Sequence, residues 1–176
     1  MRGLSTYNVG VGSLGAKWRS FTTVAVGVAA LAALVGCGSD RGEPPRDSAG
    51  QVLAPTTVDA LDIHLADCFN NPGVESVEQV MVVPCAEPHD FEVFHSFQLA
   101  DGPYPGDDKV QDEWFKGCLA EFEAFVGTKF DESALDVSAI YPTEQTWNEL
   151  EDREVLCSVT AIDGAQRTGS ARNARI

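Results

Sequence analysis

The chain has 176 residues, with 12 Lys and Arg against 27 Asp and Glu, a formal net charge of −15 and 44% apolar residues. That acidic balance excludes a nucleic-acid binder, because neutralising phosphates needs the opposite sign. It also opposes contact with anionic lipid or anionic wall polymers. The length suits one domain with a core of its own, and the sequence contains no internal repeat.

Three basic groups, Arg2, Lys17 and Arg19, precede an apolar run from Phe21 to Val35, which ends in Leu34-Val35-Gly36-Cys37. A charged start, an apolar stretch and small residues before a cleavage point are the layout of an export signal. The run is 15 residues long, whereas a membrane-crossing helix needs about 20, and the polar Gly38-Ser39-Asp40 follows at once. The exit into a cysteine resembles a bacterial lipobox. That resemblance implies a signal peptide over residues 1–36, diacylation of Cys37 and an anchor on the extracytoplasmic face, with two or more chains because one alone binds reversibly. Past residue 36 the chain carries 9 basic groups against 27 acidic ones. From Asp59 to Asp163 the balance is 24 acidic groups against four basic ones. Such a surface keeps an exported protein soluble, or it attracts a cation or a basic partner.

Residues 37–56 are rich in Gly, Pro, Ser and charge without apolar periodicity, which predicts a lipidated Cys37 followed by a flexible tether. The domain is expected over 57–170. Ile63 to Phe69 is a short strand candidate, Asn70-Asn71-Pro72-Gly73 a turn signal, and Val77, Val80, Val82 and Val83 form a β-branched run stopping at Pro84-Cys85. Phe91 to Leu99 reads as a strand with Phe91, Val93, His95 and Phe97 on one face and Phe94 on the other. A helix follows Tyr104-Pro105-Gly106, capped by Asp107 or Asp108, with Gln111 completing a capping box around Asp108. Its stripe is Val110, Trp114, Cys118, Phe122 and Phe125, widened by Phe115, Leu119 and Val126 and read as core packing, and Gly127 ends it. Leu135 to Tyr141 is a further strand, Pro142-Thr143 starts a helical turn through Trp147, and Arg153 to Ile162 is the last strand, with Val155, Cys157, Val159 and Ala161 inward. Residues 171–176 are expected to be a disordered tail. The sum is an α+β fold, an antiparallel sheet packed by one main amphipathic helix.

Apart from Cys37, four cysteines remain, an even number that reads as two disulfides with three possible connectivities in an exported domain. No C-x-x-C pair exists, and the spacings of 17, 33 and 39 match no zinc finger or ribbon. Cys118 lies on the buried helix stripe and Cys157 on the inward register of the last strand, so they form a natural bridge. Cys68 and Cys85 then pair near the ends of a hairpin.

One segment, Val83 to Val93, gathers two prolines, a His and several carboxylates. Glu87, His89, Asp90 and Glu92, with Arg153 and also His95, are candidate binding residues for a cation or small ligand. The competing structural reading has His89 and its acidic neighbours bonded to the loop's own backbone and to Arg153. No catalytic residue is assigned, since neither G-x-S-x-G nor S-x-x-K occurs and no Gly-rich phosphate loop follows a strand. Neither a metal nor a cofactor is expected.

Asp67-Cys68-Phe69, Val83-Pro84-Cys85-Ala86-Glu87-Pro88-His89 with Glu92-Val93, Tyr104-Pro105-Gly106, Cys118 with Phe122 and Val126-Gly127, Pro142 with Trp147, Arg153-Glu154-Val155 with Cys157, and Thr168-Gly169-Ser170 together cover residues 66–170. In this order they resemble the septum-formation domain family of actinobacterial membrane-attached and lipoprotein sequences. Ala66 stands where such domains usually have Gly, and Glu151-Asp152 replaces a Gly expected between Trp and Arg. The resemblance implies a membrane-anchored, extracytoplasmic, non-catalytic domain linked by name to cell division or the envelope, with an envelope or divisome protein as partner and no known ligand. A cation- or small-ligand-binding lipoprotein is the alternative, and a hydrolase a third reading.

Overall fold

The computed structural model describes residues 43–70 and 79–176. The expected signal peptide, Cys37 and the turn at Asn71-Pro72-Gly73 lie outside the described residues.

The described residues form six strands and two helices: β1 (Thr56–Asp59), β2 (Cys68–Asn70), β3 (Gln79–Val83), β4 (Phe91–Gln98), α1 (Asp107–Val126), β5 (Leu135–Ile140), α2 (Glu144–Glu149) and β6 (Glu154–Ala161). The strands make a single antiparallel sheet in the order β1-β3-β2-β4-β6-β5. Both expected disulfides are present, Cys68–Cys85 and Cys118–Cys157. The α+β reading therefore holds.

Apolar side chains fill both sheet faces. On one, α1 lays Val110, Cys118, Phe122 and Phe125 against Val155, Cys157 and Val159 of β6. On the other, Val58, Phe69, Val80, Val82 and Leu156 are covered by Val52 and Ile63. A β-bulge makes the two-sided packing possible. The β4–β6 register shifts between Val93 and His95, so Phe94 is an extra residue that re-aims everything after it. As a result Phe91 and Val93 pack on the second face while Phe94 and Phe97 pack under α1. The expected period-two face from Phe91 to Phe97 is thus broken in the middle.

Helix α1 ends where expected, at Gly127 in the left-handed region (φ 81°), whose N–H donates to the Glu123 carbonyl. Its start differs. Gly106 is the N-cap and no side chain caps it, so Asp107 and Asp108 sit in the first turn and act on the helix dipole instead. Asp107 also accepts the Tyr104 hydroxyl, and that bond pushes the phenol up to about 12. In α2, Thr143 and Thr146 cap each other reciprocally.

Two segments expected to be loose are folded. In the tether, Asp47 accepts the N–H groups of Ala49 and Gln51, which closes a turn that pairs Arg46 with Val52 and buries Val52. In the tail, Asn173 and Arg175 donate their N–H groups to the carbonyls of Phe125 and Val126 at 2.8 and 2.9 Å, and Ala171 is 1% exposed. The physical cause is the end of α1, whose last carbonyls have no partner inside the helix. The tail supplies that partner.

Candidate functional site

The Pro84 to Glu92 loop is braced from three sides. The Cys68–Cys85 disulfide ties its start to β2. His89 and Arg167 exchange both backbone hydrogen bonds at 2.8 and 2.9 Å, and Gly169 donates to the Cys85 carbonyl at 2.6 Å. At the far end, Glu92 is 5% exposed and accepts from Ser170 Oγ at 2.5 Å and from the Ala171 N–H at 2.6 Å. Residues 167–171 thus form a strap across the loop, and a carboxylate buried with two donors keeps most of the hydration energy it gives up.

His89 is 2% exposed, and its Nδ1 lies 2.8 Å from the Glu87 carbonyl oxygen. Glu87 itself is exposed. The Asp90 N–H donates to the Asn70 side chain and the Phe69 carbonyl. His95 lies past the bulge and stacks on Phe97. His89 and Glu92 therefore converge, together with Cys68, on one buried spot.

Arg153 does not join them. It precedes β6 beside the end of β4, where Leu99 donates to its carbonyl, and the strand between puts it about 20 Å from the loop at roughly 3.3 Å per residue. Its guanidinium lies 3.7 Å over the Trp147 ring and donates to the carbonyls of Trp147 and Asp152. Neither the joint pocket of His89, Glu92 and Arg153 nor a bond between them forms.

Two features were not read from the sequence. The first is a buried ion pair: Asp67, 1% exposed, takes Arg46 Nη1 and Nη2 on its two oxygens at 2.5 and 2.9 Å and the His64 N–H at 2.9 Å. The bidentate contact raises Arg46 above its ordinary range. The only signal for it was a carboxylate beside a buried cysteine, which calls for a cation. The second is an exposed aromatic surface. Phe115 is 41% and Tyr141 39% exposed. Trp114, between them, stacks on Tyr141 at 5.8 Å and meets Phe115 edge-on at 5.7 Å, and its indole N–H is buried without an acceptor. Phe115 thus faces outward and not into the core stripe. A separate cavity of about 340 Å³ is lined by Glu43, Asp59, Asp62 and His64 among others, and none of the loop residues reaches it.

No helix among the described residues is long and apolar enough to cross a membrane. No solved structure matches the chain. Two relatives from Mycobacterium tuberculosis strains, each named an uncharacterized membrane protein, are 26% identical over 159 residues, covering 80% of this chain and 35% of theirs. The chain thus spans about a third of the length of the curated relatives it matches. The family model described as septum formation matches residues 65–175. Both disulfides, the braced loop and the strap all fall inside that span, and the chain belongs to the septum-formation family.

Proposed function

We propose that this chain is a lipid-anchored domain on the extracytoplasmic face of the membrane and that it acts without catalysis, as a binding or scaffolding module for a basic protein partner in envelope or septum-related processes. The aromatic surface of Trp114, Phe115 and Tyr141 carries this reading. Aromatic side chains offer a large contact area with few torsions to freeze, which is why they anchor interfaces. Asp131 and Glu132 are exposed and the stretch from Asp59 to Asp163 carries 24 acidic groups against four basic ones, while Asp112 is already paired with Lys116 beside Phe115. A partner rich in Lys and Arg with apolar side chains complements that surface, and its association slows as salt rises.

The test is proximity labelling in the host, comparing the full-length chain with a Phe115→Ser/Tyr141→Ser variant. Both side chains are exposed, so the thermal midpoint should stay within a few degrees while the labelled partners are lost. An unchanged set of partners would refute the assignment of this face. The anchor is tested separately: Cys37→Ala should release the chain from the membrane fraction or leave an unprocessed precursor, and normal processing with retention would overturn the lipoprotein half of the reading. The alternative, binding of a cation or small ligand, draws on the acid-lined cavity. It requires a midpoint that rises with added cation by mass action and returns with chelator.

A further inference from the structure

Cys68, His89 and Glu92 are 0%, 2% and 5% exposed, and a sulfur, a ring nitrogen and a carboxylate oxygen from the three lie within 4.8 Å of one another. The fold sets up this meeting. Cys68 pairs directly with Glu92 across β2 and β4, so both side chains leave the sheet on the same face. His89 is brought in by its backbone bridge to Arg167.

The state of His89 follows from its neighbour. A carbonyl oxygen only accepts, so Nδ1 donates its proton to Glu87 and the lone pair is on Nε2. Nε2 is therefore the nitrogen left to act as a ligand. An imidazole fixed through one nitrogen by a backbone carbonyl, with the lone pair on the other, is the arrangement of a metal ligand. The Glu92 carboxylate is likewise held in place by Ser170 and Ala171.

With the disulfide closed, the cluster holds two donors, since the Cys68 sulfur is bonded to Cys85. Reduction adds two more at once. We propose that the reduced form of this corner binds one zinc ion through Cys68, Cys85, His89 and Glu92, the metal replacing the disulfide as the link between β2 and the loop. Two thiolates, a neutral imidazole and a carboxylate are all donors that zinc accepts. Tetrahedral bonds of about 2.0–2.3 Å place the ligand atoms roughly 3.3–3.8 Å apart, so the Cys68, His89 and Glu92 atoms draw in by up to about an ångström while the two freed sulfurs part to that separation.

Reduction has a defined route. Cys85 is half-buried and Cys68 fully buried, so the thiolate of a dithiol reductant attacks the Cys85 sulfur and expels the Cys68 thiolate. The reductant's second thiol then displaces Cys85 and the reductant leaves as a cyclic disulfide. Two electrons and two protons pass to the cysteine pair. Zinc binding afterwards releases those two protons to solvent.

The experiment measures zinc bound to the full chain after equilibration and removal of free metal, in oxidised protein and in protein reduced with a phosphine that is removed before the metal is added. About one zinc per chain is expected in the reduced form and none in the oxidised form. Because Cys118–Cys157 is also reducible, a Cys68→Ser/Cys85→Ser variant is carried alongside and should bind none. His89→Ala and Glu92→Gln should weaken binding at least tenfold, on the scale seen when metal-site groups are removed. Equal zinc in the oxidised chain, in the reduced double variant, or with unchanged affinity in both His89→Ala and Glu92→Gln would overturn the proposal, the last because free thiols alone would then explain the metal. No zinc in reduced wild-type protein would overturn it as well. Cobalt in place of zinc gives a second readout, as its absorption reports tetrahedral thiolate ligation only if the site assembles as a unit.

Discussion

The two disulfides staple opposite kinds of surroundings. Cys118–Cys157 joins α1 to β6 inside an apolar cluster that includes Phe122, Phe125, Val155 and Val159. Cys68–Cys85 sits among Asp67, His89 and Glu92, which with Ser158 are the buried polar side chains of the described residues. In the loop-entropy model the two closures differ little, about 4 and about 3 kcal/mol for the longer and the shorter loop. The difference lies in what surrounds each bridge. On the helix side stability comes from burial and packing, whereas on the loop side each polar side chain depends on a particular partner, local for His89 and from a distant part of the chain for Asp67 and Glu92.

The sharpest break of this contrast is Phe122→Ala on the helix side. Phe122 is 0% exposed and meets Phe94 and Phe130 edge-on at 6.4 and 5.2 Å. Truncation should cost about 4 kcal/mol, and the thermal midpoint should fall by roughly 15 °C for a domain of this size. A loss below about 1 kcal/mol by chemical denaturation would mean that this cluster collapses around the gap and is not packed as a jigsaw.

On the loop side, Arg46→Ala should cost about 3 kcal/mol by the same measurement, because Asp67 stays buried without its counter-ion. Converting the carboxylate as well, in Arg46→Ala/Asp67→Asn, should recover part of that loss. If the single change instead costs the under 1 kcal/mol typical of exposed pairs, the segment before β1 is not part of the fold and the contrast between the two halves weakens.

These halves were not equally legible. The helix side rests on local signals: the three- and four-residue steps of α1, Gly127 as its stop, and the alternation of β6 could be read without knowing what lies across from them. Even the Cys118–Cys157 bridge followed from two local faces. The loop side rests on long-range partners. Nothing near Arg46 announces that it meets Asp67, and nothing near Ser170 announces Glu92, 78 residues away. The loop from Pro84 to Glu92 stands out by composition, but grouping Arg153 with it by charge ignores the length of β4, which holds Arg153 beside Leu99 and Trp147. Phe94 shows a further limit: a bulge leaves no composition mark, so a period-two reading runs straight through it. Phe115 stands at the margin of an apolar stripe, where the sequence alone leaves open whether an aromatic ring turns in or out.

The smallest expected effect has the opposite sign and tests backbone strain on both sides at once. Ala66, just before Asp67 and Cys68, has φ 71°, and Glu151, just before Asp152 and Arg153, has φ 55°. These are the two places where the septum-formation pattern usually carries Gly, and both take up the left-handed conformation that glycine adopts without cost. For a residue with a Cβ that conformation costs about 1–2 kcal/mol, of which glycine's extra unfolded-state entropy gives back roughly 0.5–1 kcal/mol. Ala66→Gly and Glu151→Gly should therefore each stabilise the domain by about 0.5–1 kcal/mol, and additively, since they lie at opposite ends of β4. Denaturant midpoints of the two single variants and the double variant check this. If Ala66→Gly destabilises while Glu151→Gly stabilises, the methyl group of Ala66 contributes packing beside the Arg46–Asp67 pair that outweighs its strain. The loop side would then owe part of its stability to close apolar contact, and the division drawn between the two halves would have to be moved.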